Sequence, residues 1–144
     1  ASYLRTRGSD SIAIQEIAAT DFEEYREVNE LILQGRKLGS DVLIAEATDS
    51  KCYDTVVISK AADAMLAMSG IEASFVLAKN TQGFISISAR SRSKLNVQRI
   101  MEELGGGGHF NLAAAQIKDS TLSEAGEKLT EIVLNEIKEK EKEE

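Results

Sequence analysis

Proline and tryptophan are absent from this chain of 144 residues, and cysteine and histidine occur once each, as Cys52 and His109. The lack of proline excludes a proline-rich linker. A single cysteine excludes a disulfide framework or a cysteine-rich zinc site, and a single histidine excludes any two-histidine metal centre. No apolar run approaches the length of a membrane span, and the N-terminus, Ala1 to Asp10, is polar and charged, unlike a signal peptide. Basic residues are in the minority, with 17 Lys and Arg against 24 Asp and Glu and a net charge of −7. Proteins that coat nucleic acid draw their affinity from a broad excess of cations, so that class is excluded. The expectation is a soluble chain in a reducing cytoplasm, without membrane contact of its own, whether or not its parent is anchored in the membrane.

What is present suffices for one domain with a core: 42% of residues are hydrophobic and 28% charged. The start reads as two helices, Ser11 to Ala18 and Asp21 to Lys37, with Thr20 or Asp21 as N-cap and Phe22, Tyr25, Val28 and Ile32 at helical spacing. These first forty residues have little strand signal and read as a connector, outside the core. From Asp41 the pattern changes. Val42 to Ala47 reads as a strand, Asp54 to Met68 as a helix apolar on two sides and stopped by Gly70, and Ile71 to Lys79 with Phe84 to Arg90 as a hairpin turning at Asn80-Thr81-Gln82-Gly83. Val97, Ile100, Met101 and Leu104 give a short amphipathic helix, and Ala113 to Lys118 one more strand. Thr121-Leu122-Ser123-Glu124 is a capping box that opens a last helix, whose Glu/Lys tail from Glu136 reads as a solvated, fraying end. The fold class is α/β, a mixed sheet flanked by helices and preceded by a helical linker.

Three features bear on chemistry. Along Phe84 to Arg90, alternation sends Ile85, Ile87 and Ala89 to one face and Ser86, Ser88 and Arg90 to the other. That polar row is either a solvent-facing edge strand or a ligand face at the strand's C-terminal end, where open α/β sheets bind ligands. Arg90, Arg92, Lys94 and Arg99 form a local positive island, with no acidic residue between Phe84 and Met101. A local basic patch in an acidic protein suits a small anion. Finally, Gly105-Gly106-Gly107-Gly108 precede His109 and an alanine run, Ala113 to Ala115. One glycine would end the helix, whereas four in succession let backbone N–H groups converge on a phosphate that no Cβ obstructs. No Gly-Lys-Ser/Thr follows, so this is not a nucleotide-hydrolase P-loop, and no acid/base pair with a nucleophile stands out.

Ser88-Ala89-Arg90-Ser91, Asn96-Val97-Gln98 and Gly105 to His109 followed by Ala113-Ala114 resemble the DHH-associated C-terminal domain of the DHH phosphoesterase superfamily. Gly70 to Val76 and Gln116 look like the branch of cyclic-di-AMP phosphodiesterases of the GdpP (YybT) type. The likeness covers roughly residues 40 to 140. It implies a DHH-associated domain at residues 39–144, preceded at 1–38 by a helical linker from the end of a DHH domain. In that family the DHH half holds manganese through aspartates and histidines, and the associated half grips the nucleotide. The resemblance therefore implies that Ser88, Arg90 and Ser91 contact phosphate, that the amides of Gly106, Gly107 and Gly108 cradle it, and that His109 hydrogen-bonds it. It implies no catalytic residue and no metal ligand in this chain, with Mn²⁺ expected in the DHH domain. The implied partners are cyclic di-AMP or a short linear dinucleotide, the DHH domain of the same polypeptide, and a second copy in a homodimer. Two alternatives stay open: the substrate-binding half of a short-oligonucleotide exonuclease, and a non-enzymatic nucleic-acid-binding or dimerisation module.

Overall fold

A computed structural model describes residues 22–143 of the chain. Its centre is a mixed sheet of six strands in the order β1-β2-β3-β4-β6-β5. The strands are β1 (Gly35–Leu38), β2 (Val42–Glu46), β3 (Ala73–Lys79), β4 (Ile85–Ser91), β5 (Gly107–Gly108) and β6 (Leu112–Ile117). Only the β2–β3 pair is parallel, and all other neighbours run antiparallel. The helices are α1 (residues 22–32), α2 (Thr55–Leu66), α3 (Val97–Glu103) and α4 (Leu122–Glu143).

The side-chain period of two divides the sheet into faces with separate cores. Phe75, Leu77, Ile85, Ile87, Ala89, Ala113 and Ala115 point to one side, where they meet α3 (Ile100, Met101) and α4 (Leu129, Val133). Ala45, Val76 and Ala78 point to the other, where they meet α1 (Val28, Leu31) and α2 (Val57, Ile58, Ala61, Met65). The α2 helix is the crossover between the parallel strands. Asp54 starts it as N-cap, its carboxylate accepting the Val56 N–H at 2.9 Å, a contact worth about 1 kcal/mol. Ser74 locks it to the sheet by donating from its buried hydroxyl to the Ala62 carbonyl at 2.7 Å.

Most of the expected elements are present within a few residues of their boundaries, and the α/β class with a mixed sheet stands. The Thr121 hydroxyl accepts the Glu124 N–H at 3.1 Å, as the capping box requires. Two expectations are corrected. The helix expected to reach Lys37 ends at residue 32, and residues 35–38 form β1, paired with β2 in the register Gly35↔Ala45 to Leu38↔Val42. Arg36 and Lys37 favour helix intrinsically, but the unpaired edge of β2 captures them. Within the first forty residues, the described part from residue 22 is also not merely a connector, because Leu31 is completely buried and Val28 nearly so. The C-terminal tail stays helical to Glu143, with Ile137 packed against the core. The helix expected at Ser11 to Ala18 and its neighbouring cap, Thr20 or Asp21, lie outside the described residues.

Candidate functional site: an open shelf on the sheet

The four glycines have separate physical reasons. Gly105 takes φ +84° after α3, its N–H donating to the Glu102 carbonyl at 3.1 Å, while the Gly106 N–H donates to the Met101 carbonyl at 2.8 Å. This is the paired closure of a Schellman motif, so the Gly106 amide is committed to the helix end. Gly106 also lies against β6, where an added Cβ would stand 2.1 Å from the Ala114 carbonyl oxygen. Gly108 would bring a Cβ to 2.5 Å from the Ala113 Cα. Gly107 is different. It has an ordinary φ, and a Cβ there would meet nothing within 4 Å. The fold needs glycine at 105, 106 and 108, and makes no demand for it at 107.

Gly107 opposes Ala114 on β6, and Ala114 opposes Ser88 on β4. Since paired residues share a face, all three sit on the α2 side of the sheet. That helix roofs β3 and part of β4, and leaves β6 open: Leu112, Ala114 and Gln116 are exposed. The result is a shelf. Its floor is β6 and β5, and its wall is the side of α2 that carries Val56, Ser59 and Asp63 at helical spacing. The next row on the same face holds Arg90 opposite Leu112, and the Leu112 carbonyl accepts the His109 N–H at 2.7 Å. The structure thus gathers Ser88, Arg90, Gly107 and His109 at one end of the shelf. The His109 imidazole is exposed and makes no hydrogen bond among the described residues.

Two expected members lie elsewhere or are occupied. Ser91 points to the opposite face, 3% exposed, with its hydroxyl donating to the Phe110 carbonyl at 3.1 Å; it holds the glycine hairpin in place. The Gly106 amide is held by Met101 as described. The polar row itself is central, not an edge, which removes the solvent-facing alternative: Ser86, Ser88 and Arg90 are each no more than 7% exposed. Residues distant in sequence satisfy them. Asn80 donates to the Ser86 hydroxyl at 2.9 Å, the Ser59 and Ser88 hydroxyls meet at 3.3 Å, and Arg90 donates from Nε to Asp63 at 2.7 Å. Arg90 Nη1 donates to the Ala89 carbonyl at 3.0 Å, leaving Nη2 without a partner among the described residues.

The basic island separates in three dimensions. Arg92 donates to the Leu66 and Ile71 carbonyls and so caps the C-terminal end of α2. Arg99 lies 3.8 Å from Glu136. The Glu72 carboxylate accepts the N–H groups of Ser93, Lys94 and Leu95, filling a nest of the kind that binds anions. The counter-charges Asp63, Glu72 and Glu136 all lie outside the acid-free stretch that defined the island. Arg90 is the member that stays on the shelf. Its position also corrects a directional expectation. Because β4 runs antiparallel to β2 and β3, Arg90 lies at the N-terminal ends of the parallel pair, and their C-terminal ends lie towards Phe84.

A cleft of about 680 Å³ lies away from the shelf, between the β1–β2 edge and α4, lined in part by Arg36, Glu46, Gly126 and Thr130. Burial raises the Glu46 carboxyl above its ordinary value there, against the opposing pull of Arg36. Among the described residues no three His, Cys, Asp or Glu side chains come together as a metal site. No helix among them is long and apolar enough to cross a membrane.

Comparison with known proteins agrees with the fold. The DHHA1 domain family matches residues 39–140. The chain is 41% identical over 133 residues to the cyclic-di-AMP phosphodiesterase GdpP of Geobacillus thermodenitrificans, covering 92% of this chain and 20% of that protein. It is also 41% identical over 129 residues to the cyclic-di-AMP phosphodiesterase PdeA of Listeria monocytogenes, covering 90% and 20%. The chain thus spans about a fifth of the length of these relatives. Among solved structures, an exopolyphosphatase-related protein from Bacteroides fragilis superposes with a TM-score of 0.67 at 19% identity, over 78% of this chain and 34% of that one. A pGpG-specific phosphodiesterase, PggH from Vibrio, superposes at 0.53 and 16% identity, over 78% and 39%. Both share the fold.

Proposed function

Given that the chain belongs to the DHHA1 domain family, we propose that it is the substrate-recognition part of a metal-dependent phosphodiesterase that hydrolyses cyclic di-AMP or its linear dinucleotide product. The curated relatives that it matches at 41% identity are cyclic-di-AMP phosphodiesterases. The observation that carries the reading is Gly107, the member of the glycine run that the fold does not require, facing an open shelf beside Ser88 and Arg90. A missing Cβ at an open position lets a phosphate reach the main chain.

On this reading the Gly108 amide, which points away from β6, the His109 imidazole and Arg90 Nη2 hold the phosphate and offset its charge, while the Gly107 amide is taken by the Ala114 carbonyl in the strand pairing. Ser88 contributes a hydroxyl at the back of the shelf. Their contribution to catalysis is positional and electrostatic, fixing the ester in one orientation against developing negative charge. Manganese supplies the activated water when bound, and its ligands belong to a DHH domain of the same polypeptide, whose position under a membrane anchor would keep both halves in the cytoplasm. Ser91 and the Gly106 amide support the loop and are not direct contacts.

Backbone-amide NMR of the chain, titrated with cyclic di-AMP and with 5′-phosphorylated diadenylate, tests this. Shifts should concentrate at Gly107 to His109 and at Arg90 and fall away in His109→Ala. Shifts confined to the Arg36–Glu46 cleft, or none with either nucleotide, would refute it. So would phosphodiester turnover by the purified chain with Mn²⁺.

A further inference from the structure

The shelf continues past the phosphate end, and its far end is built differently. On the same face, beyond Ser86↔Gln116, Phe84 lies opposite Lys118, whose ammonium sits 5.2 Å from the centre of the Phe84 ring. Phe84 is half-buried, while Gln116 and Lys118 are exposed. The wall changes in step. Ser59 faces Ser88 and Asp63 faces Arg90, so α2 runs along the row and its first turn comes level with Ser86, next to this end. Val56 is there, 51% exposed on the same side of the helix. One end of the shelf is thus polar and cationic, and the other is an aromatic floor, an apolar wall and an ammonium. Neither the Gln116 amide nor the Lys118 ammonium makes a hydrogen bond or ion pair among the described residues. This is also the end at which the parallel strands β2 and β3 finish, where open α/β sheets bind ligands.

We infer that the Phe84–Lys118 end is a nucleobase subsite for the nucleotide that follows the one whose phosphate is held at Gly107. The inference rests on the proposed phosphate site and selects, of the two substrates named for it, the extended linear dinucleotide. The Gly107 row and the Phe84 row are four residues apart along β6, about 14 Å at strand rise. That is beyond a base joined directly to the phosphate at Gly107 and within reach of the next one along an extended chain. A base there lies against the aromatic side chain and Val56, with Lys118 adding a cation and Gln116 a hydrogen-bonding edge. Aromatic stacking of this kind tolerates any base.

The test uses the chain with two probes, AMP and 5′-phosphorylated diadenylate, by amide NMR titration. The dinucleotide should bind about tenfold more tightly than AMP, as expected for one stacked base. It alone should shift the amides of Phe84, Gln116 and Lys118. In Lys118→Ala and in Phe84→Leu, which keeps an apolar side chain at the hairpin, the ratio should fall towards one with AMP affinity unchanged. A ratio that survives in both variants, or a dinucleotide that binds no better than AMP, overturns the subsite and leaves the phosphate site standing. If neither probe binds, the phosphate site fails and the subsite with it.

Discussion

Gly107 and Ser88 stand in one transverse row of the sheet with only Ala114 between them, and that row is open to solvent at Gly107 and closed by α2 at Ser88. The pairing separates what the glycine run does for the fold from what it offers to a ligand. Gly106→Ala and Gly108→Ala would force a Cβ into the backbone of β6. Each should lower stability by about 2 kcal/mol or more, a fall in Tm of about 6 °C or more. Gly107→Ala should leave Tm within about 2 °C and weaken dinucleotide binding about tenfold. Thermal melts of the three variants beside one titration decide it; equal losses of stability at all three positions would remove the distinction.

Asp63 pins Arg90. The Arg90 side chain is 9% exposed and the Asp63 side chain 61%, so the pair sits at the boundary of the core. Asp63→Asn should cost about 1 kcal/mol, well below the loss for a fully buried pair. It should also tighten the binding of inorganic phosphate, because a carboxylate that competes for the guanidinium is gone. Arg90→Ala should lose both stability and phosphate affinity. If Asp63→Asn weakened phosphate binding, the carboxylate would belong to the ligand site.

Glu72 occupies the nest made by Ser93, Lys94 and Leu95. Removing an ionised acceptor from three N–H groups is costly, and Glu72→Ala should lose about 2 kcal/mol, visible as a shift in urea midpoint with unchanged slope. Glu72→Gln, which keeps an acceptor oxygen, should lose less. If the alanine variant bound added sulfate with recovery of stability, the nest would be shown to accept an anion from solution.

Glu46 has its carboxyl raised by burial, with Arg36 opposing the shift and Asp49 and Glu127 adding to it. A carboxyl with a raised folded-state value binds its proton more tightly in the native state, so its contribution falls as pH rises from the unfolded value through the folded one. Glu46→Gln should therefore raise Tm at pH 7, and the gain should shrink as pH falls through the raised folded-state value and be gone at the unfolded carboxyl range, about 4.3. A gain that was constant with pH would mean that packing beside Gly126, not charge, sets the effect.

The sequence made the elements from Val42 to Ile117 readable because their periodicities are clean and their caps are local: Asp54, Asn96 and Thr121 each cap the helix that follows. What stayed illegible depends on residues far apart along the chain. Strand β1 looks helical because its pairing with β2 outweighs the propensities of Arg36 and Lys37. The Ser86, Ser88 and Arg90 row looks like a wet edge because its partners Asn80, Ser59 and Asp63 lie up to 29 positions away. The glycine run announces a loop, but its division into a helix closure, two close approaches and one open position needs β6 beside it. Phe84 and Lys118 become neighbours only once β4 is known to pair with β6 in the register Ile85↔Ile117.

The shared core of α1 and α2 has a mechanical consequence. Val28 and Leu31 pack in one cluster with Val57, Ile58 and Met65, and Lys60 on α2 is ion-paired with Glu24 on α1. The wall of the shelf is the outer side of that same α2. A push or twist delivered to α1 therefore reaches Ser59 and Asp63 through packed side chains, so the helix works as a lever whose short arm borders the shelf.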